Sequence, residues 1–105
     1  MPVVYSRWQL KPGADRARLG DLVLEACRAV RANEGVRNAR YYWATANTVV
    51  TLTDYEHSRH VFTAPATPEG TKRGFAIQDL ADMAAWELWA DARAGTEAYE
   101  RAKQG

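Results

Sequence analysis

The sequence predicts an α+β fold in which two helices cover one face of a four-stranded antiparallel sheet, with elements in the order β-α-β-β-α-β. Three observations predict it. Four short segments are rich in β-branched and aromatic residues, one segment carries an apolar stripe of helical period, and all four tryptophans fall in the predicted strands. At 105 residues the chain is expected to form one domain over 1–105, with its core over 2–90 and a polar tail over 91–105.

The first half of the chain predicts a strand, a helix and a second strand. Residues 3–10 alternate and form the first strand, which Lys11-Pro12-Gly13 ends because proline cannot donate to a ladder. Residues 15–33 predict an amphipathic helix, and Gly35 is its expected stop signal because glycine accepts the left-handed conformation. Residues 36–45 predict the second strand. The apolar helix stripe consists of Leu19, Leu22, Val23, Ala26, Cys27 and Val30.

The second half predicts a hairpin, a broken helical region and a last strand. Residues 48–55 form the third strand, joined to the second by a turn at Ala46-Asn47. Residues 56–63 are a short helix candidate. Thr67-Pro68 predicts the start of a helix that runs to about residue 82, because a capping hydroxyl precedes proline at the first helical position. The last strand is expected over 83–90, and a further helical turn near Tyr99.

Composition favours a soluble globular protein and argues against two classes of partner. The formal net charge is +1 and the arginines are interleaved with acids, so no nucleic-acid partner is expected. No apolar run is long enough to span a membrane, and the N-terminus lacks a signal-peptide pattern. The single cysteine, Cys27, cannot form an internal disulfide and is expected to be a buried free thiol, which fits a reducing cytoplasm.

The aromatic residues predict that both faces of the sheet are covered. Successive strand residues point to opposite faces, so Tyr41 and Tyr42 must diverge, and so must Trp86 and Trp89. The helices account for one cover. We expect a second copy of the chain to be the other, packed about 10 Å away as a homodimer through the sheet face.

Five segments of the chain match the pattern of a known family: Val3-Val4, Lys11-Pro12-Gly13, Asn33-Glu34-Gly35-Val36, the Asn47–Glu56 strand and Trp86-Glu87-Leu88-Trp89. On these residues the chain resembles the antibiotic-biosynthesis-monooxygenase type of dimeric α/β barrel. The resemblance covers residues 2–90 and implies a homodimer with a pocket in each subunit between the sheet and the second helix. This superfamily includes cofactor-free quinone-forming oxygenases, haem-degrading enzymes, polyketide cyclases, isomerases and proteins with no known reaction.

The haem-degrading branch of the family is not matched. That branch uses an asparagine on the first strand, where this chain has Arg7, and a tryptophan and a histidine on the second helix, where it has Ala64 and residues 69–73. No cofactor is therefore expected. The asparagine and tryptophan of the cofactor-free oxygenases are not clearly matched either, because Asn38 and Asn47 lie elsewhere.

Two residues are candidates for catalysis. Arg7, in the middle of the first strand, would fix an oxyanion, enolate or phenolate, or would form an ion pair with a carboxylate such as Glu87. His60 would act as a general acid or base, or would be a solvated or structural histidine. No metal site is expected, because Asp54, Glu56 and His60 lack a characteristic ligand spacing.

Aromatic strand residues are the candidates for ligand binding. Tyr5, Tyr42 and Trp86 would line a flat apolar cavity for a small aromatic ligand, or would belong to the core and the dimer interface. Residues 63–70 would form a lid or an ordinary surface loop. Two functions follow: a cofactor-independent monooxygenase-like protein acting on a small aromatic or polyketide-type molecule, or a non-catalytic small-molecule-binding or structural dimer.

Overall fold

The computed structural model describes residues 2–89, and the predicted order of elements is confirmed. The predicted helical turn near Tyr99 lies outside the described residues. The elements are β1 (Val3–Leu10), α1 (Arg16–Arg31), β2 (Val36–Thr45), β3 (Thr48–Tyr55), a 3-10 helix (Ser58–Phe62), α2 (Pro68–Leu80) and β4 (Ala81–Trp89).

The four strands form one antiparallel sheet in the order β2-β3-β1-β4. The fold is therefore ferredoxin-like α+β, as predicted. In the register, Tyr5 lies opposite Leu52 on β3 and opposite Glu87 on β4. The β1–β4 register shifts between Arg7 and Trp8, so β4 accommodates one extra residue there.

Helix α1 begins at a polar cap. The Asp15 side chain accepts a hydrogen bond from the backbone N–H of Arg18 at 3.2 Å, and the helix ends at Arg31 with Ala32 as its C-cap. The prediction that Gly35 stops the helix is therefore wrong. Gly35 does adopt a positive φ of 79°, but it does so in the turn that leads into β2.

Helix α2 begins where the sequence predicted. The Thr67 hydroxyl accepts a hydrogen bond from the backbone N–H of Gly70 at 3.0 Å, and Pro68 occupies the first turn. The helix ends at Leu80 and the chain enters β4 directly at Ala81, so the predicted boundary near residue 82 is two residues late. Within the predicted short helix over 56–63, the structure has a 3-10 turn, which suits so short a segment.

The core lies between the sheet and the helices, with α1 as its main cover. Leu19 and Val49 are fully buried, and burying a side chain of this size contributes roughly 1.5–3 kcal/mol. Cys27 is buried, as predicted. From α2 the buried side chain is Ile77, so α2 is the lighter cover. The core residues are Leu19, Leu22, Val23, Cys27, Ala39, Val49, Ile77 and Ala81.

The sheet has two unlike faces. The covered face meets α1 and α2 and carries Trp8 and Val49. The open face is not covered by either helix. On it the rings of Tyr5 and Trp89 stack with centroids 5.0 Å apart. By strand alternation the open face carries Val3, Tyr5, Arg7, Asn38, Arg40, Tyr42, Val50, Leu52, Asp54, Ala85, Glu87 and Trp89.

Candidate functional site

A cavity of about 180 Å³ lies between the covered face of the sheet and the helices. We call it the inner cavity. Strands β1, β2 and β3 supply its floor, α1 supplies most of its roof, and α2 adds one residue. An engineered apolar cavity of about 150 Å³ accepts benzene, so a single aromatic ring fits this space. Its lining residues are Ser6, Trp8, Val23, Ala26, Cys27, Val30, Ala39, Thr51, Thr53 and Ile77.

One wall of the inner cavity is polar and ordered by hydrogen bonds. The indole Nε1–H of Trp8 donates to the Ser6 hydroxyl at 3.0 Å, and the Ser6 and Thr51 hydroxyls are hydrogen bonded to each other. Because Ser6 is buried, these bonds hold its oxygen in one orientation. The wall can therefore orient a ligand oxygen while the remaining walls contact carbon.

Cys27 is the titratable side chain among the residues that line the inner cavity. Burial raises the pKa of its thiol, and the nearby Arg31 charge offsets this only in part. The thiol therefore stays protonated near neutral pH, where a thiolate would be needed for nucleophilic or metal-binding chemistry. The inner cavity thus offers shape and hydroxyl groups rather than a strong base.

A second space, the outer groove, adjoins the inner cavity. It measures about 350 Å³ and runs between α1 and the segment over residues 64–77. The two spaces share Ala26, Val30 and Ile77, so one ligand can extend from one into the other. The outer groove is lined by Ala26, Ala29, Val30, Asn33, Ala64, Pro65, Thr67, Gly70, Arg73, Gly74 and Ile77.

The segment predicted as a lid contributes to this groove. Ala64, Pro65, Thr67 and Gly70 all line it. Pro65 lies in the irregular stretch before α2, and Thr67 caps that helix, so the wall combines a loop with a fixed helix start. Movement of this segment as a lid stays a prediction.

Three of the predicted site residues lie away from both spaces. Tyr5, Arg7 and Tyr42 belong to the open face, because their register partners Leu52 and Val50 share that face. Tyr42 is exposed. Any role of these three residues would therefore be at the open face, and their functions stay predictions.

The other two predicted site residues lie at the margins. Trp86 is opposite Ser6 and so points to the covered face, but it sits on the edge strand, is 47% exposed and is not among the residues lining the inner cavity. His60 lies on the 3-10 helix with its ring against Gly35, so a Cβ at Gly35 would collide with it. The structure does not bring Arg7 and His60 together with Trp86 in one site.

Sequence reasoning missed the residues that do form the inner cavity. Trp8 alternates with Ser6 on β1, and Thr51 alternates with Thr53 on β3, so strand period alone would place each pair on one face. Which of the two sheet faces packs against the apolar stripe of the helix depends on the register between the strands, and the sequence does not give that register. Within residues 2–89 no group of three His, Cys, Asp or Glu side chains is placed to hold a metal ion. The helices described there are too short or too polar to cross a membrane.

Comparison of the fold with solved structures gives close matches at low sequence identity. SnoaB, a cofactor-independent oxygenase from Streptomyces nogalater, matches with a TM-score of 0.75 at 12% identity, over 88% of this chain and 93% of that one. Rv0793 from Mycobacterium tuberculosis matches with a TM-score of 0.72 at 22% identity, over 88% and 96%.

A candidate antibiotic biosynthesis monooxygenase from Deinococcus radiodurans matches with a TM-score of 0.67 at 13% identity, over 89% of this chain and 94% of that one. This chain shares its fold with these structures. By sequence, no protein-family description and no curated protein matches it. At these identities the likeness establishes the fold, and activity has to be argued from the site.

Proposed function

We propose that this protein is a cofactor-independent monooxygenase-like protein that holds a small aromatic or polyketide-type molecule in the inner cavity. The observation that carries the proposal is the inner cavity itself, with the Trp8 indole and the paired hydroxyls of Ser6 and Thr51 on one side and aliphatic side chains on the other. Apolar walls with a few fixed polar groups are typical of small-molecule sites.

The size of the two spaces supports a ligand with more than one ring. The inner cavity alone, at about 180 Å³, is smaller than the roughly 300–1,000 Å³ usual for such sites. Together with the outer groove, at about 350 Å³, the space falls within that range. One ring would lie against Trp8 and a second would extend past Ala26 and Val30.

The chemistry proposed uses electrons from the substrate itself. The ionised substrate, a carbanion, enolate or phenolate, transfers two electrons to O₂ and forms a C–O bond, and the proton it gave up adds to the outer oxygen, so that the former CH₂ carbon carries a hydroperoxide. Loss of the second proton from that carbon then breaks the O–O bond, which leaves a carbonyl and releases water, and the substrate has supplied all four electrons that reduce O₂. SnoaB, whose fold this chain shares, is a cofactor-independent oxygenase. The protein would exclude water, orient the ring and hydrogen bond the developing oxyanion through the Thr51 or Ser6 hydroxyl.

One observation favours the alternative function, a non-catalytic binding protein of the same fold. Cys27, the titratable group of the inner cavity, has its pKa raised by burial and is a poor base near neutral pH. A site without a general base oxidises only substrates that ionise readily on their own. A protein that merely binds such a molecule would need the same walls and nothing more.

We also propose that the protein is a homodimer joined through the open face. Tyr42 and Trp89 are about half exposed there, and Leu52 lies at its centre on β3. Large apolar side chains gathered on one face mark an interaction surface. A second copy would bring its own open face, so that two sheets pack together.

The test measures binding and oxygen uptake separately. A thermal-shift screen of hydroxylated naphthalenes and anthrones identifies ligands, since a molecule that binds the native state raises the melting temperature. Oxygen consumption with those ligands, and incorporation of ¹⁸O₂ into the product, then reports the reaction. Ala26→Phe should block the junction of the inner cavity and the outer groove. Ala17→Phe, on the exposed side of α1, is its matched control.

Oxygen uptake in the wild type and in Ala17→Phe, lost in Ala26→Phe, supports the monooxygenase-like function. Binding that Ala26→Phe abolishes, without oxygen uptake by any variant, supports the non-catalytic alternative. Ligand binding that survives equally in Ala26→Phe would place the site elsewhere and contradict both.

A further inference from the structure

We propose that Arg73 anchors an anionic oxygen of the ligand in the outer groove, so that the preferred ligands are aromatic acids or acidic enols rather than neutral aromatics. This inference rests on the proposed binding of an aromatic molecule in the adjoining inner cavity. Arg73 lies on α2 and is one of the residues that line the outer groove.

The first observation is an unused hydrogen-bond donor. The Nε–H of Arg73 is buried from solvent and donates to no acceptor, and it is the one buried side-chain nitrogen or oxygen in this state within residues 2–89. A buried charged donor without an acceptor has lost its hydrogen bonds to water and gained none in return, which destabilises that arrangement. Such a group is rare in a native structure, and an acceptor from a bound molecule would satisfy it.

The second observation is that the nearby carboxylate does not satisfy this donor. Glu25 Oε2 lies 3.9 Å from Arg73 Nε, which is beyond hydrogen-bond distance. The Glu25 side chain is more than half exposed, whereas that of Arg73 is 21% exposed. The ion pair is therefore loose and solvent-screened, and a ligand carboxylate entering the groove can replace it with short, charge-assisted bonds.

The third observation is the position of Arg73 relative to the inner cavity. The outer groove that it lines adjoins the inner cavity through Ala26, Val30 and Ile77. A ring held against Trp8 can therefore carry an acidic substituent toward Arg73. Asn33 and Thr67 add neutral polar groups to the same groove, whose lining among residues 2–89 includes no acidic residue. Glu25 and Glu69 line a separate groove that Arg73 also lines. Arg73 is therefore the charged group that the outer groove offers to an anion.

Arg73 also supplies help with ionising the ligand, which the inner cavity lacks. Cys27 is a poor base, so the ligand must ionise with little help from the cavity. A guanidinium beside the ligand favours its ionised form, because an opposite charge within a few ångströms lowers the pKa of an acid. Arg73 would therefore be a substrate-anchoring residue that also selects for ionisable ligands.

The experiment compares ligands that share one ring system. The probes are 2-naphthoate, the acidic enol 2-hydroxy-1,4-naphthoquinone and the neutral 2-naphthalenemethanol, with dissociation constants measured by calorimetry on the full-length protein. Arg73→Gln removes the charge, and Arg73→Lys keeps the charge but loses the fork of donors. Lys72→Gln is the matched control, because it removes the same charge from the neighbouring exposed residue, which does not line the outer groove. Melting temperatures without ligand show that each variant is folded.

We expect Arg73→Gln to weaken binding of at least one anionic probe by roughly tenfold or more, as loss of a hydrogen bond to a charged group implies. Arg73→Lys should lose less. The neutral probe should change by less than about twofold, and Lys72→Gln should leave all three probes within that range. A loss confined to the carboxylate or to the enol supports the inference and identifies the source of the oxygen.

Equal losses in Arg73→Gln and Lys72→Gln would overturn the inference, because they would reflect general surface charge. An unchanged preference for anions in Arg73→Gln would overturn it as well. If the neutral probe binds the wild type and Ala26→Phe abolishes that binding, the proposed binding of an aromatic molecule in the inner cavity stands even where Arg73 has no effect. If no probe binds the wild type, the proposed function fails and the inference fails with it.

Discussion

The two faces of the sheet carry different kinds of side chain, because alternate residues of each strand point to opposite faces. On the covered face, Leu19 and Val49 are fully buried and the polar groups are small hydroxyls and a thiol. On the open face, Arg40 and Asp54 form an ion pair at 2.7 Å, and Tyr5 stacks on Trp89. The side chains of the covered face are buried against the helices. The open face instead carries charges and aromatic rings that suit contact with another protein surface.

The difference decides where a ligand can be held. Helix α1 supplies most of the roof of the inner cavity, so hydrogen bonds such as that from Trp8 to Ser6 are partly buried there. Neither α1 nor α2 lies over the open face, and the predicted residues Tyr5, Arg7 and Tyr42 lie on it. These three predicted residues and the inner cavity are therefore separated by the thickness of the sheet.

The largest effect is expected from the covered face. Leu19→Ala should lower the free energy of unfolding by about 2–5 kcal/mol, because the side chain is fully buried and its removal leaves a cavity. Chemical denaturation measures this cost. Leu52→Ala on the open face is the matched control, and its cost should depend on protein concentration if a second copy covers Leu52. If both variants lower the free energy of unfolding equally and independently of protein concentration, the two faces do not differ in how they are buried.

The next effect tests the open face as a dimer interface. Leu52→Arg should raise the dimer dissociation constant by about 100-fold or more, since it places an unpaired charge between two sheets. Sedimentation velocity or light scattering reports the change from dimer to monomer. Ala17→Arg, which adds the same charge on the exposed side of α1, should leave the assembly intact. A Leu52→Arg protein that remains dimeric would place the interface elsewhere.

A smaller effect is a loss of stability at alkaline pH that comes from the covered side. Burial raises the pKa of both the Cys27 thiol and the Tyr55 phenol. The folded protein then retains protons that the unfolded chain releases, so stability is full below the ordinary values near 9 and 10 and falls as pH rises above them.

Each of these two groups contributes a slope of at most about 1.4 kcal/mol per pH unit. Denaturation between pH 8 and 11 should show a shallower fall in the Cys27→Ala/Tyr55→Phe double variant than in the wild type. Tyr42→Phe, on the open face, is the matched control for removal of a phenol. If stability falls as steeply with pH in the double variant as in the wild type, Cys27 and Tyr55 are not the source of the alkaline loss of stability.

The smallest effect concerns the charges of the open face. Asp54→Asn removes the partner of Arg40, whose pKa is raised mainly by its hydrogen bond to Asp54. In dilute protein the cost should be below about 1 kcal/mol and should shrink with added salt. Glu56→Gln, in the more exposed pair with Arg37 at 3.6 Å, should cost less still. A larger, salt-resistant cost at high protein concentration would show that Arg40 and Asp54 are buried by association.

Much of the fold could be predicted because it depends on local signals. Strand alternation, the stripe from Leu19 to Val30 and the Thr67-Pro68 cap each act within a few residues, and each element formed where these signals placed it. The errors were local as well. Gly35 has the left-handed conformation that its type favours, but in the turn before β2 rather than at the end of α1.

The site could not be predicted in the same way. Strand alternation shows that Tyr41 and Tyr42 point to opposite faces of the sheet. It does not show which of them packs against the helices, because that depends on pairing with strands far along the chain. Trp8 lines the inner cavity through its register with Val49, and Arg73 reaches the outer groove only because α2 packs beside α1. Trp86 and Trp8 carry equal sequence signals but occupy an edge strand and a central one.

The sequence by itself determined the order of elements, the need to cover two faces and the buried apolar stripe, because period and capping are properties of neighbouring residues. Only the tertiary structure decided which aromatic residue meets the cavity, which arginine has an unused donor and which face stays open. Those depend on strand register and helix packing, where a shift of one residue turns every side chain of a strand to the other side of the sheet.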